Sequence, residues 1–421
     1  QDGVQLLGLD GPEATIINGG GLDRVVEISS TPAPTIEGFT LTNGSAATGG
    51  GVSVWNASPT LANLIVTGNS AVSRGGGIYI ETGSTATLTD VQVTANSTDA
   101  GGGMYLYNCT ATLTRVTVSG NTATGNGGGV MLDSTLSTDL TDVEITDNHG
   151  QYGGGIYMST GSSTMTRVNL SGNEADFDGG GMYIASAAPE LTNVTVLGNT
   201  GKNGGGFFIY VNGPTMTNAT ISGNTADDYG GGMYVHSTTT MTMTNLNVTH
   251  NAATTGGGVF VYNATPAMSY GNFWNNQPSD YSGVSMPITD ISKDPQFISF
   301  STALDWSKLD VHIHRDLSDL AGAGDPTIDN PDFNRSDIGV YGGPKSDFTY
   351  YLDNDGDGLY DGWELSFVND INLLSPSNND DSDALDNNVE FYAGTNPLDG
   401  DTDGDVAQDD VDADPLDPNV Q

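Results

Sequence analysis

Basic residues are scarce in this sequence, with 10 Lys and Arg against 52 Asp and Glu among 421 residues and a formal charge of −42 at pH 7. Such a balance repels nucleic acid and anionic membrane surfaces, so nucleic-acid binding is excluded as a function class. Cysteine is nearly absent. Cys109 alone rules out an internal disulfide and a cysteine metal cluster, and it reads as a small packed side chain. Long hydrophobic runs are missing too: nothing approaches the ~18 apolar residues of a membrane helix, so no membrane insertion is expected. The opening stretch QDGVQLLGLD has no basic-then-apolar leader and reads as a mature or trimmed product.

What is abundant is glycine in triplets. They begin at Gly49, Gly75, Gly101, Gly127, Gly153, Gly179, Gly204, Gly230 and Gly256, a spacing of 26 residues with one step of 25. Each leads into a short alternating strand such as Ile78-Tyr79-Ile80 or Met104-Tyr105-Leu106, whose outer pair shares one face. A second pattern follows: Leu88, Val91, Val93; Leu113, Val116, Val118; Leu140, Val143, Ile145. The first step is odd and the second even, so the chain must bend between them if all three point inward. Units of ~26 residues are too short to be domains and show no helical period, but stacked ~4.8 Å apart they share one apolar interior. The predicted fold is all-β, a right-handed parallel β-helix, forming a rod on the order of 50 Å long.

Recurring positions outside the core carry further expectations. Asn43, Asn69, Asn96, Asn121, Asn148, Asn173, Asn199, Asn224, Asn251 and Asn276 read as a structural amide ladder from coil to coil. Asp90, Arg115, Asp142 and Arg167 occupy one place in four successive coils, so opposite charges alternate up the rod. The middle residue of the first strand gives an outward column of Tyr79, Tyr105, Tyr157, Tyr183, Phe208, Tyr234 and Phe260, with Met131 among them. A patch of this kind packs a neighbouring protomer, binds sugar faces or is covered by the chain's own loops or tail. Asn193-Val194-Thr195 and Asn218-Ala219-Thr220 are sequons that permit glycosylation in an exported protein.

LLGLDGPEATIINGGG and TIEGFTLTNGSA at one end, the glycine-led coils, and FWNNQPSDYSGV with RSDIGVYGGP at the other resemble the secreted right-handed parallel β-helix proteins of bacteria and archaea. The resemblance covers roughly residues 1 to 344. It implies export and a fold shared by surface proteins, adhesins and polysaccharide lyases. The expected organisation is a β-helix over 1–285, a capping segment over 286–347 and an acidic calcium-binding domain over 348–421. With Gln1 almost at the LLG strand, the first coil is expected to expose a strand edge that a second copy covers, giving head-to-tail filaments.

The tail carries three loops with calcium-ligand spacing. DNDGDGLYDGWE places Asp353, Asp355, Asp357, the Leu359 carbonyl, Asp361 and Glu364 at the ligand positions, with Gly358 at the turn. The second loop places Asn379, Asp381, Asp383, Leu385, Asn387 and Glu390, with Ala384 where glycine belongs. The third has Asp401, Asp403, Asp405, Ala407, Asp409 and Asp412, with Val406 at that position. These loops resemble bacterial calcium-binding repeats of the thrombospondin type 3 kind, which implies bound Ca2+. Catalysis is not expected: Arg115 and Arg167 are matched to acids, no Ser/His/Asp arrangement follows from spacing, and only Glu174, Asp176 and Asp178 cluster beside a corner. The expected function is an extracellular, calcium-stabilised structural or adhesive element; the alternative is a protein that binds or degrades polysaccharides.

Overall fold

The computed structural model describes residues 4–29, 33–237, 241–299, 310–347, 349–381, 383–412 and 414–416. Gln1, on which the expectation of an uncovered first coil rests, lies outside the described residues. Three parallel sheets build a solenoid of about 10 turns. One has 11 strands, each from a different coil, running from Val26–Ser29 to Tyr281–Ser282. Its register follows the glycine repeat, pairing Ile78 with Met104, Tyr79 with Tyr105 and Ile80 with Leu106. The second carries the Leu-x-x-Val-x-Val pattern and pairs Leu88 with Leu113, Val91 with Val116 and Val93 with Val118. The third is made of short strands from Ser45–Thr48 to Thr225–Tyr229.

The bend required by the odd-then-even spacing is present. Asp90, Arg115, Asp142 and Arg167 sit at φ of 54°, 50°, 55° and 52°, and each turns the strand so that the aliphatic residues on both sides face inward. Gly101 explains why each strand is led by glycine: its φ is +66°, and a Cβ there would fall 2.4 Å from the Met104 carbonyl. The core is one continuous column of inward aliphatic side chains from Ile28 to Phe273. Cys109 lies in it, fully buried, and burial pushes its thiol up to about 12.

The asparagine ladder forms from Asn69 to Asn276. In each rung the side-chain oxygen accepts the backbone N–H and the amide of the preceding asparagine, as when Asn121 donates to Asn148 Oδ1 at 2.9 and 3.0 Å. Asn43 does not belong to it. Pairing of Thr42 with Thr67 sets Gly44 opposite Asn69, and Gly44 N donates to Asn69 Oδ1 at 2.8 Å. Asn43 instead holds the corner at φ 56°.

Residues 286–347 divide into two parts. Ile291 bridges to Asn272, and Asp290 accepts from Gly271 N at 2.9 Å and Tyr281 Oη at 2.9 Å, which closes the last coil. Residues 323–345 do not continue over that end but run back along the flank, above the column of bend residues. Asp325 N donates to Asn245 Oδ1 at 2.6 Å, Val340 N to Thr220 Oγ1 at 3.1 Å, and Arg167 Nη1 to the Lys345 carbonyl at 3.2 Å. Beyond lie two helices, Asp361–Phe367 and Asn387–Ala393, packed with Ile298 around Leu359, Trp363, Leu374 and Phe391. No helix among the described residues is long and apolar enough to cross a membrane.

Candidate functional site

Three acidic loops of the tail bring carboxylates together. Single oxygens of Asp353, Asp355 and Asp357 lie within 4.8 Å of one another, as do those of Asp381, Asp383 and Glu390, and those of Asp401, Asp403 and Asp405. In the first loop, Asp353 gathers the backbone N–H groups of Gly356, Asp357 and Gly358 at 2.7, 3.1 and 3.2 Å. The third repeats this cradle, with Asp401 accepting from Gly404, Asp405 and Val406 at 3.0, 3.0 and 2.9 Å. Its sixth position keeps the left-handed turn without glycine, since Val406 sits at φ 85° where Gly358 has 103°. The second loop begins with an amide: Asn379 donates from Nδ2 to the Asp383 carbonyl at 2.6 Å.

The ninth position is tied to the second in all three loops, through its oxygen in two of them and, at Asn387, through its amide nitrogen, which leaves Asn387 Oδ1 buried and without a partner. Asp361 accepts from Asn354 N at 2.8 Å and from its amide. Asn387 Nδ2 donates to Asp380 at 2.9 Å, and Asp409 accepts from Thr402 N and Oγ1 at 2.9 and 2.7 Å. These buried side chains therefore tie the end of each loop to its second residue. The Leu359 side chain is fully buried in the small core. Asp412 is half-buried and accepts from Asp414 N at 2.8 Å.

The twelfth-position glutamates carry the strongest chemical signal. Glu364 and Glu390 are 0% exposed, and none of their four carboxylate oxygens has a hydrogen-bond partner. Burial pushes Glu364 up to about 8, with Asp357, Asp355, Asp361 and Asp353 adding to the shift. Burial raises Glu390 to about 8 as well, with Asp381, Asp383 and Asp409 contributing and the nearby Thr395 hydroxyl pulling the other way. Burying an uncompensated carboxylate beside others is costly unless a cation or a proton neutralises it. Hard oxygen donors in this number suit a divalent ion such as calcium.

The aromatic column is not an open patch. Tyr79, Tyr105 and Phe208 are buried, and Tyr157, Tyr183, Tyr234 and Phe260 are half-buried. The rings cover one another: Tyr157, Tyr183 and Phe208 stack at successive centroid distances of 4.9 and 4.9 Å. Tyr79 donates to Glu81 at 2.8 Å, Tyr105 to Asp133 at 2.7 Å, and the Arg74 guanidinium lies 5.2 Å over the Tyr105 ring. A neighbouring column not anticipated from sequence is more open. Tyr210, His236 and Tyr262 stack at 5.0 and 5.1 Å, with both tyrosines exposed. Its signal was the residue two beyond each column position.

Both glycosylation expectations are corrected. Asn193 is 1% exposed and donates Nδ2 to the carbonyls of Val340 and Gly342, while Asn218 is fully buried beneath Gly343. Neither amide is reachable by a transferase in the folded chain. Among the acids beside the corner, Asp176 pairs with His149 at 3.2 Å and Asp178 accepts from Asn203 at 2.8 Å. The charge ladder forms as two bidentate pairs, Arg115 with Asp90 at 2.6 and 2.9 Å and Arg167 with Asp142 at 2.5 and 2.9 Å.

A family model described as right handed beta helix region matches residues 15–138 and 129–286. No curated protein and no solved structure gives a match.

Proposed function

The chain belongs to the right-handed β-helix family, and on that premise we propose that it is an exported, calcium-stabilised structural or adhesive element of a cell surface, assembling head to tail with copies of itself. The observation that carries this reading is the pair of fully buried, unpartnered carboxylates at Glu364 and Glu390, each facing further acids. Calcium at the millimolar level of extracellular fluids would fill such sites. Along the rod, by contrast, the asparagine ladder and the two charge pairs find their partners in neighbouring coils.

Calcium titration of the full chain, read by calorimetry, together with electron microscopy and sedimentation with and without the ion, tests this reading. Saturable binding and end-to-end filaments are expected. A chain that binds no calcium and sediments as a single monomer in its presence would overturn it.

A second reading, glycan binding or cleavage, is favoured by a cleft between the flank and the returning segment. It is lined by Asp142, Glu144, Arg167, Asn169, Tyr341 and Asp347. The fold is shared by enzymes and non-enzymes. Release of unsaturated sugars from acidic glycans would establish this alternative.

A further inference from the structure

Two clefts meet at the end of the returning segment. The first, about 370 Å³, lies against the rod flank and is lined by Asp142, Glu144, Arg167, Asn169 and Asn193. The second, about 520 Å³, lies toward the tail and holds His312, Thr349, Tyr350 and Asn354. Tyr341 and Asp347 line both, which makes the pair one trough.

Each nitrogen-bearing side chain of this trough already donates within the protein. Arg167 gives Nε and Nη2 to Asp142 and Nη1 to the Lys345 carbonyl. Asn193 gives its amide to the Val340 and Gly342 carbonyls, Asn354 to Asp361 and Asn169 to Ser171. The Tyr350 hydroxyl donates to Asp310 and the Thr349 hydroxyl to Asp347. What is left over accepts. Asn193 is 1% exposed, and its two carbonyl partners fix which end of the amide is nitrogen, so the buried Oδ1 has no partner; Asn169 Oδ1 is buried and unpartnered too. Among the described residues Arg167 is the only Lys or Arg of the lining, and Asp142 matches its charge. Glu144 and Asp347, both exposed, are left uncompensated.

His312 adds an acceptor of fixed sense. Its ring is held between Tyr341 and Tyr350 at centroid distances of 3.5 and 3.6 Å, with Nδ1 2.5 Å from Asp310 Oδ1. A carboxylate only accepts, so the tautomer this pairing selects carries its proton on Nδ1 and its lone pair on Nε2.

We propose that this trough binds a cationic saccharide, an oligomer of sugars bearing free amines. Its ammonium groups pair with Glu144 and Asp347, its hydroxyls donate to His312 Nε2, and Tyr341 is the apolar wall common to both clefts. An extended peptide fits poorly, because each backbone N–H it donates comes with a carbonyl for which the trough has few free donors. An acidic glycan would set carboxylate against carboxylate. The inference rests on the second reading above, glycan binding, and names the class of glycan.

The test is calorimetric titration of the full chain, in calcium, with a glucosamine oligomer at a pH where its amines are protonated. Its N-acetylated counterpart, a galacturonate oligomer and a lysine oligomer of equal charge serve as comparators. The glucosamine oligomer is expected to bind, less tightly as salt rises, and the N-acetylated and acidic oligomers to bind roughly ten-fold more weakly or not at all. Glu144→Gln and Asp347→Asn, both at exposed positions, should each weaken the glucosamine oligomer about five-fold. Glu190→Gln, an exposed acid of the rod outside both clefts, should change nothing, which separates the trough from general attraction to a chain of net charge −42. If the glucosamine oligomer binds wild type and the two cleft variants alike, or the galacturonate oligomer binds as tightly, the cationic trough is overturned while glycan binding stands. A lysine oligomer that binds more tightly and is lost in the same variants would overturn it in favour of a peptide. If no sugar oligomer binds, the inference and the glycan reading both fall.

Discussion

Asn148 gives two side-chain hydrogen bonds, to the Val118 carbonyl at 2.9 Å and Asn173 Oδ1 at 3.0 Å, and receives two from Asn121. Asn148→Ala strands buried partners in the coils on both sides, so a local loss on the order of 2–4 kcal/mol is expected. Native-state hydrogen exchange of residues 121–173 measures it; unchanged protection there would show that the ladder contributes nothing. The recurrence of these asparagines was legible in the sequence because the repeat places them almost evenly. The misplacement of Asn43 by one residue was not, because only the pairing of Thr42 with Thr67 fixes which corner residue faces inward. Asn193 and Asn218 illustrate the same limit at long range. Their sequons are local, but the backbone that buries them comes from Val340 to Gly343. The ninth loop positions follow from spacing, but the hydrogen bond that each makes back to the second position is not encoded in it.

Among the elements, the antiparallel pair of Phe297–Ser299 with Asp310–Ile313 and the helix Asn387–Ala393 meet at His314. Its ring lies edge-on to Phe391 at 4.9 Å and stacked on Tyr392 at 5.4 Å, with neither ring nitrogen hydrogen-bonded. Burial lowers His314 from 6.5 to about 4, although Asp310 and Asp316 pull the other way. The unfolded segment thus takes up a proton that the folded one refuses. This contribution to stability is fully present above pH 6.5, falls as pH drops, and is lost below about 4. A melt of this junction followed between those limits should show the decline, and His314→Phe should flatten the difference between the two curves. A slope identical in both chains would remove His314 from the account. Strands were the most legible elements, because a period of two interrupted at a fixed place admits one bend. How the aromatic column is covered was not legible, since its cover comes from rings about 26 residues away on the same face rather than from anything adjacent in the chain.

At the scale of the molecule, two kinds of cohesion lie end to end: a rod held by stacked side chains, and a tail whose buried acids call for an ion. Chelation should therefore separate them. Limited proteolysis in excess chelator is expected to cut within residues 350–416 and spare the coils, while added calcium restores protection; a tail equally resistant in both conditions would contradict its dependence on the ion. The solenoid was legible because repetition states one answer many times, whereas the back-running course of residues 323–345 is stated once, in segments of no period. The ladder has one more consequence. Because each asparagine bonds to its counterpart at the matching place of the next coil, a whole coil is the smallest unit whose removal leaves every rung satisfied. Recombination between neighbouring gene segments of about 26 codons would lengthen or shorten the rod in steps of roughly 4.8 Å, so that reach becomes a quantity inherited in whole numbers.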